Sequence, residues 1–541
     1  ILLIASMAFF TACEVPEDFS GSYTDDGAQL ITATFLDGTG GFYSEGTAPF
    51  GEEIKIVFPY YYPEESSNEI DITQMRLTAN LPNNVIVTPG LAVHDLTQPV
   101  EITITAANGK VTKHRIVSDI RKSSKAQILE FSLPEAQMGG FIIESQKLIG
   151  LVSGGMDLSD LTPVIKVSPH ATISPDPSVP QNFNEPVVYT VTAHDGTQVQ
   201  YTVKTITPNK VSHGIRKGSA RLLWQKSGGD LNFTEHMETA IATSGNYLIL
   251  NTRNVDMRYY DRFSGQYVGS IPRGDLATYA FQNFNLANDQ EGNLLSCNLS
   301  LAGADFVIYR WNKDALNSAP TPFVKWTNNT GGQVGRKLSI KGDLNGDAVV
   351  FATATFSGKI LRWEVKGGVL VSQTPEILTY KGKTWNYLGD VIAEGPTVND
   401  NLFVSGYPGD LAYANVKTGE PIATFDLAGA GYVVNQSIDH VEFNGAKYLA
   451  AVDVIYSWSG KGYLYDVTAP ASLSTPASDA NYGNFRVFAT PVIGASNNGN
   501  STGDIILRVS EDGYKMVLYT LVTNGGISAY EFDCVDVDNL F

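Results

Sequence analysis

Cysteine, methionine and positive charge are scarce in this chain, and each shortage excludes something. Cys13, Cys297 and Cys534 are the only cysteines in 541 residues, so at most one bridge can form and a disulfide framework does not hold the fold together. The 37 Lys and Arg residues stand against 56 Asp and Glu, a formal charge of −19, which argues against nucleic acid or an anionic membrane face as the main ligand. The usual catalytic signatures are missing too: H-E-x-x-H, the P-loop, G-x-S-x-G and G-x-G-x-x-G do not occur. The seven histidines (His94, His114, His170, His194, His213, His236 and His440) are scattered without metal-ligand spacing, which argues against zinc. In "GDLNGDAVV", Asp343, Asn345 and Asp347 open like a calcium loop, but Ala354 stands where the bidentate acid is required. Asn345-Gly346 therefore reads as a tight turn, and no cofactor or metal is expected.

What is abundant is glycine (51) and tyrosine (26), with only 7 Met and 17% charged residues. That balance suits many short strands joined by tight turns, so an all-β protein is expected. The length exceeds one ordinary core, which stops growing near about 250–300 residues. Self-similarity then divides the chain. "QPVEITITAANGKVTKHRIV" (98–117) aligns without a gap to "EPVVYTVTAHDGTQVQYTVK" (185–204), each alternating through an Asn-Gly or Asp-Gly pair that predicts a β-hairpin. "AQLITATFL" from Ala28 and "AQILEFSLP" from Ala126 open the two copies. Two tandem Ig-like sandwich domains follow, over 28–121 and 122–208.

From 209 to 541 the period changes. "GNYLILNT" (Gly245), "GNLLSCNL" (Gly292), "GDAVVFAT" (Gly346), "DNLFVSGY" (Asp400), "AKYLAAVD" (Ala446) and "GDIILRVS" (Gly503) recur at intervals of 46 to 57 residues. Each is a turn and a buried strand, followed by a second strand with an aromatic near its end. This is the pattern of a β-propeller. Six blades are counted, with seven left open because the stretch from Gly503 to Asp533 is crowded. "SARLLWQKS" (219–227) is the candidate strand to close the last blade.

The first residues address the chain rather than fold it. "ILLIASMAFFTA" (1–12) is too short to span a bilayer and fits a signal-peptide remnant. Phe10-Thr11-Ala12-Cys13 resembles a bacterial lipobox, with Phe10 where Leu is usual. Glu14, Glu17 and Asp18 resemble the acidic export tag of Bacteroidota surface lipoproteins, making 13–27 a lipidated N-terminus and tether. With its two Ig-like repeats and C-terminal propeller, the chain resembles Bacteroidota outer-membrane surface lipoproteins associated with SusC/SusD-like nutrient uptake systems. The resemblance implies lipidation at Cys13, a place on the cell surface held by the lipid anchor alone, and a SusC/SusD-like transporter pair as partner. It also implies capture of a nutrient, a glycan or an oligopeptide; with no catalytic constellation in the sequence, no enzyme is expected. A scaffold or peptide-binding subunit lacking glycan affinity is the alternative, and a propeller glycoside hydrolase a further one. Asp390, Asp400 and Asp453 are acids such an enzyme could use, although sequence gives no pairing.

Ligand residues are sought where connections between second and third strands, and between successive blades, emerge on one face. There Trp385, Asn386, Tyr387, Tyr407, Tyr456 and Trp458 combine flat rings with hydrogen-bonding groups, as sugar binding requires. Tyr432, Phe281 and Phe485 read as inter-blade core. In the first domain, Tyr60, Tyr61 and Tyr62 lie between two prolines and form a candidate platform for a sugar or partner. The competing reading is an edge strand whose middle tyrosine packs inward.

Overall fold

The computed structural model describes residues 30–46, 48–82, 84–134, 136, 138–154, 156–428, 435–455, 457–498 and 502–537. Cys13, Tyr432 and Tyr456 lie outside the described residues, and Trp458 is described only as backbone of its strand. The protein is all-β. It divides into two compact units, residues 1–207 and 208–541.

Unit 1 contains both sequence copies, and their hairpins are built alike. Strand Val100–Thr105 pairs with Val111–Arg121, and Val187–Thr192 with Gln198–Ile206. In each loop a turn is closed by glycine at positive φ (Gly109 +82°, Gly196 +95°), a conformation that a Cβ penalises. The side chains of Asn108 and Asp195 accept the amide two residues on, at 2.9 and 2.8 Å. In both copies the last strand also runs parallel to an earlier one, Glu53–Pro59 in the first and Lys147–Leu151 in the second. Alternating apolar residues fill two separate cores, one around Ile54, Phe58, Met75 and Ile116, the other around Phe131, Leu148, Tyr189 and Val203.

Unit 2 consists of six antiparallel sheets; in five of them the strands follow chain order from first to outermost, and in the sixth the outermost strand comes from the start of the unit. The first strands are Glu238–Ser244, Asn285–Asn288, Val334–Gly342, Leu388–Ala393, Asn435–Phe443 and Gly503–Val509. Each contacts the next in that order, and the sixth contacts the first. In the sixth sheet, Gly526–Asp533 pairs on its outer side with Arg221–Ser227, the strand the sequence nominates for closure. One phase assignment needs correcting. Five of the six repeat segments are second strands of their sheets, but "GDIILRVS" is a first strand, followed by Lys515–Val522 as the second. First strands are largely buried as second strands are (Glu238–Ser244 throughout, like Ala348–Ala354), so a buried run alone does not separate them.

Neighbouring first strands present unpaired backbone groups to each other, and a polar side chain bridges each boundary. Asn288 Oδ1 accepts the Thr243 amide (2.9 Å) and Asn285 Oδ1 that of Leu338 (3.0 Å). Ser339 Oγ donates to the Val391 carbonyl. Asp390 Oδ2 accepts the Ile438 amide (3.1 Å), Asp439 Oδ2 that of Leu507 (2.7 Å), and Asp504 Oδ2 that of Ile241 (2.8 Å). Lys337 crosses the centre to Asp504 Oδ1 at 3.0 Å, and Ser437 Oγ joins Asp504 (2.5 Å) to Asp390 (3.2 Å). Asn288, Lys337, Ser339, Asp390, Ser437, Asp439 and Asp504 line a cavity of about 60 Å³. Burial pushes the Asp390 carboxyl up to about 6, against the attraction of Lys337.

Candidate functional site

The turns between first and second strands open on one face of unit 2. The second-to-third turns and the connections between sheets open on the other. On this second face four sheets contribute to a chain of rings and guanidinium groups. Arg253 follows the second strand of the first sheet, and its guanidinium carbon lies 3.7 Å from the centroid of Phe284, which is buried in the connection to the second sheet. Arg336, near the start of the third sheet's first strand, reaches the same ring at 5.7 Å and Tyr387 at 4.8 Å. Tyr387 meets Phe356 edge to face, centroids 4.5 Å apart and planes at 73°. The two rings are 49% and 59% exposed. They form an exposed aromatic corner, and an exposed ring is a surface on which a flat C–H face stacks. Phe281 (49%) and Tyr407 (41%) add exposed rings on the same side.

Local backbone holds this corner in place. The Phe356 amide donates to the Asn386 carbonyl at 2.6 Å, and the Asn386 amide to the Tyr407 carbonyl at 2.9 Å. Phe356 and Phe281 sit at φ of +53° and +51°, a region that costs a side-chain-bearing residue on the order of 1 kcal/mol or more. Gln333 Oε1 accepts from Arg336 Nε (3.1 Å) and from its terminal nitrogen (2.9 Å), fixing the plane of the guanidinium. Burial draws the Arg253 guanidinium down to about 10, helped by the charge of Arg336, and lowers Arg336 as well. Both remain cations at neutral pH.

The residues expected from sequence divide on this geometry. Tyr387, Asn386 and Tyr407 lie exposed on the face. Trp385 does not: it is 2% exposed and its Nε1 donates to the Ala354 carbonyl at 2.9 Å. The indole sits against Gly389 and Gly406, where a Cβ would collide with it, so it fills the space between the third and fourth sheets. Phe485 is core as expected (4%), whereas Phe281 is not, because its left-handed backbone turns the ring outward. Arg253, Arg336 and Phe356 are not among the residues that the sequence singles out. Their signal is tertiary, two arginines without acids around them, and no local motif carries it.

The three tyrosines of unit 1 are engaged internally rather than forming an open platform. Tyr61 stacks on His170 (4.0 Å, 26°) and His194 (5.2 Å, 17°) of the second copy. Tyr62 packs on Phe35 and Phe42 of its own core, and Tyr60 donates to Glu69 at 2.7 Å. The tyrosine that packs into its own core is thus the third, not the middle one.

The opposite face of unit 2 holds a cavity of about 900 Å³. Its wall is mainly acidic, with Asp289, Glu291, Glu394, Glu442 and Glu511 against Lys313, Lys341 and Arg508, and one tyrosine, Tyr247. It has room but lacks the exposed stacking rings of the other face. Among the described residues no group of three His, Cys, Asp or Glu could hold a metal ion, and no helix is long and apolar enough to cross a membrane.

Fold and site together define an all-β protein in which a ring of antiparallel sheets carries arginines and exposed rings on one loop-bearing face. Residues 228–536 match the family model described as a domain of unknown function, DUF8500; the chain belongs to that family. Residues 8–118 match a second such description, DUF5018, and 128–205 a third, DUF8499. No curated protein matches. Among solved structures, the chain is similar to a DUF4623 family protein from Bacteroides eggerthii DSM 20697, with 16% identity over 75% of this chain and 98% of that one, at a TM-score of 0.48.

Proposed function

We propose that this chain is a lipid-anchored surface protein that binds a glycan nutrient beside a SusC/SusD-like outer-membrane transporter, without catalysing its breakdown. In this reading the six sheets of unit 2 are the blades of a β-propeller and unit 1 is a pair of Ig-like spacers. The lipobox-like Phe10-Thr11-Ala12-Cys13 and the acidic residues after it support the anchor. The observation that carries the binding assignment is the exposed Tyr387–Phe356 corner with Arg336 at its edge. Stacking rings beside directed donors suit a sugar's apolar face and polar rim. The alternative of a glycoside hydrolase has Asp390 and Asp504 near the axis. Their oxygens accept from Val391, Ile438, Ser437, Lys337 and Ile241, which supports reading them as fasteners of the ring.

Affinity electrophoresis of the full chain against a polysaccharide panel tests the assignment. At least one polysaccharide should retard the protein without release of reducing ends, and a Tyr387→Ala/Phe356→Ala variant with unchanged melting should lose the retardation. Release of product would favour the hydrolase. Co-purification with a transporter pair and no retardation by any glycan would favour the scaffold.

A further inference from the structure

The rings explain stacking, but they do not explain why two arginines are left without acids in a protein of formal charge −19. Elsewhere in unit 2 several arginines are held by carboxylates: Arg216 by Asp533, Arg258 by Glu238, Arg273 by Asp256 and Arg362 by Glu376. Among the described residues, Arg336 has the neutral Gln333 as its polar partner, and the Nε of Arg253 is buried with none. Both approach the ring of Phe284, so two positive charges are gathered at one place and repel each other. Holding two like charges together, partly desolvated and without counter-charge, is unfavourable in the free protein and is relieved when an anion arrives.

Resting on the reading that this face binds a glycan, the geometry points to an acidic sugar as the ligand, with its carboxylate or sulfate between Arg253 and Arg336 and its ring against Tyr387 and Phe356. A planar guanidinium held flat by Gln333 presents paired donors to an oxyanion, which an ammonium does not. The surrounding negative field repels anions in general, so selectivity rests on these two groups together with the stacking corner.

Calorimetric titration of the full chain with four probes tests this: an oligogalacturonide, its carboxyl-reduced counterpart, a sulfated galactan oligomer and a short poly-glutamate. Either acidic oligosaccharide should bind about tenfold or more tighter than the reduced one, and the advantage should shrink as salt rises from about 50 to about 500 mM. Arg336→Gln should remove the preference and Arg336→Lys should restore only part of it, each checked for unchanged melting, with Arg253→Gln as the independent second variant. Tighter binding of the uronide or of the sulfated oligomer identifies which oxyanion is read. If the reduced oligosaccharide binds as well as the acidic ones, the acidic-sugar inference is overturned while glycan binding stands. Equal binding of poly-glutamate overturns the sugar component. If no saccharide binds, here or in the polysaccharide panel, both readings fall.

Discussion

Replacing Asp390 by asparagine should stabilise this protein at neutral pH and leave it unchanged only below about pH 4. Asp390 is 4% exposed, and its oxygens accept from the amides of Val391 and Ile438 and from Ser437. Ile438 and Ser437 share Oδ2, so asparagine keeps both by placing its amide oxygen there and turns its NH2 toward the Val391 amide, a position that the protonated parent also fills with its hydroxyl; the main change from the ionised parent is the loss of a charge. That carboxyl titrates near 6 in the folded protein against an ordinary 3.8, burial being the leading cause. The sign follows from linkage: an acid whose folded pKa is raised binds more protons folded than unfolded between those two values. Its contribution is present below about 3.8 and is lost as pH rises through about 6. The gap corresponds to a cost of about 3 kcal/mol for holding the ionised form inside at neutral pH. Denaturant unfolding at pH 3.0, 4.5, 6.0 and 7.5 should therefore show Asp390→Asn close to the parent at the lowest pH, ahead by about 1 kcal/mol at pH 4.5 and more stable by about 2–3 kcal/mol at the highest. Asp439, also raised to about 6, and His440, lowered by burial, act in both proteins and cancel in the difference. If the variant is less stable by the same amount at every pH, Asp390 is ionised throughout and Lys337 outweighs its burial; the reasoning then fails.

Other expectations follow from packing. Gly389→Ala should drive a methyl group into the Trp385 indole and cost about 1–3 kcal/mol, read as a lower denaturation midpoint with unchanged slope. Cys297 is fully buried with its thiol pushed up to about 12, and Cys534 is buried at about 11. Neither should react with a thiol reagent in the native protein, and both should react after unfolding. Tyr61→Ala removes two stacked contacts with His170 and His194 and should lower the stability of unit 1 by about 1 kcal/mol, leaving binding at the unit 2 face intact.

What is legible in the sequence follows from the range of the forces involved. The paired hairpins are readable because turn chemistry is local: Asn108-Gly109 and Asp195-Gly196 specify their loops within a few residues. The repeat from Gly245 to Gly503 is readable because each buried strand must follow a turn, yet that rule leaves the sixth sheet one strand out of phase. Trp385 reads as a ligand residue because its neighbours in sequence are polar. The mark of its burial is also in the sequence, in Gly389 and Gly406, since glycine inside a strand signals close approach. Arg253 and Arg336 are not legible as a pair. They lie 83 positions apart by their numbers, and what distinguishes them is that both guanidinium groups meet at the Phe284 ring with no carboxylate between them, which only the folded chain defines.

The strand Arg221–Ser227 has a practical consequence for anyone dividing this molecule. The DUF8500 match begins at residue 228, directly after that strand ends. A fragment starting there would leave Gly526–Asp533 as a bare edge and would strip Arg216 and Arg221 from Asp533 and Glu531. An exposed edge of this kind is a template for pairing with another copy, so such a fragment should assemble or aggregate through its sixth sheet. The unit that similarity delimits is therefore shorter than the unit that can fold, and an expression boundary belongs upstream of Pro208, where the compact unit begins.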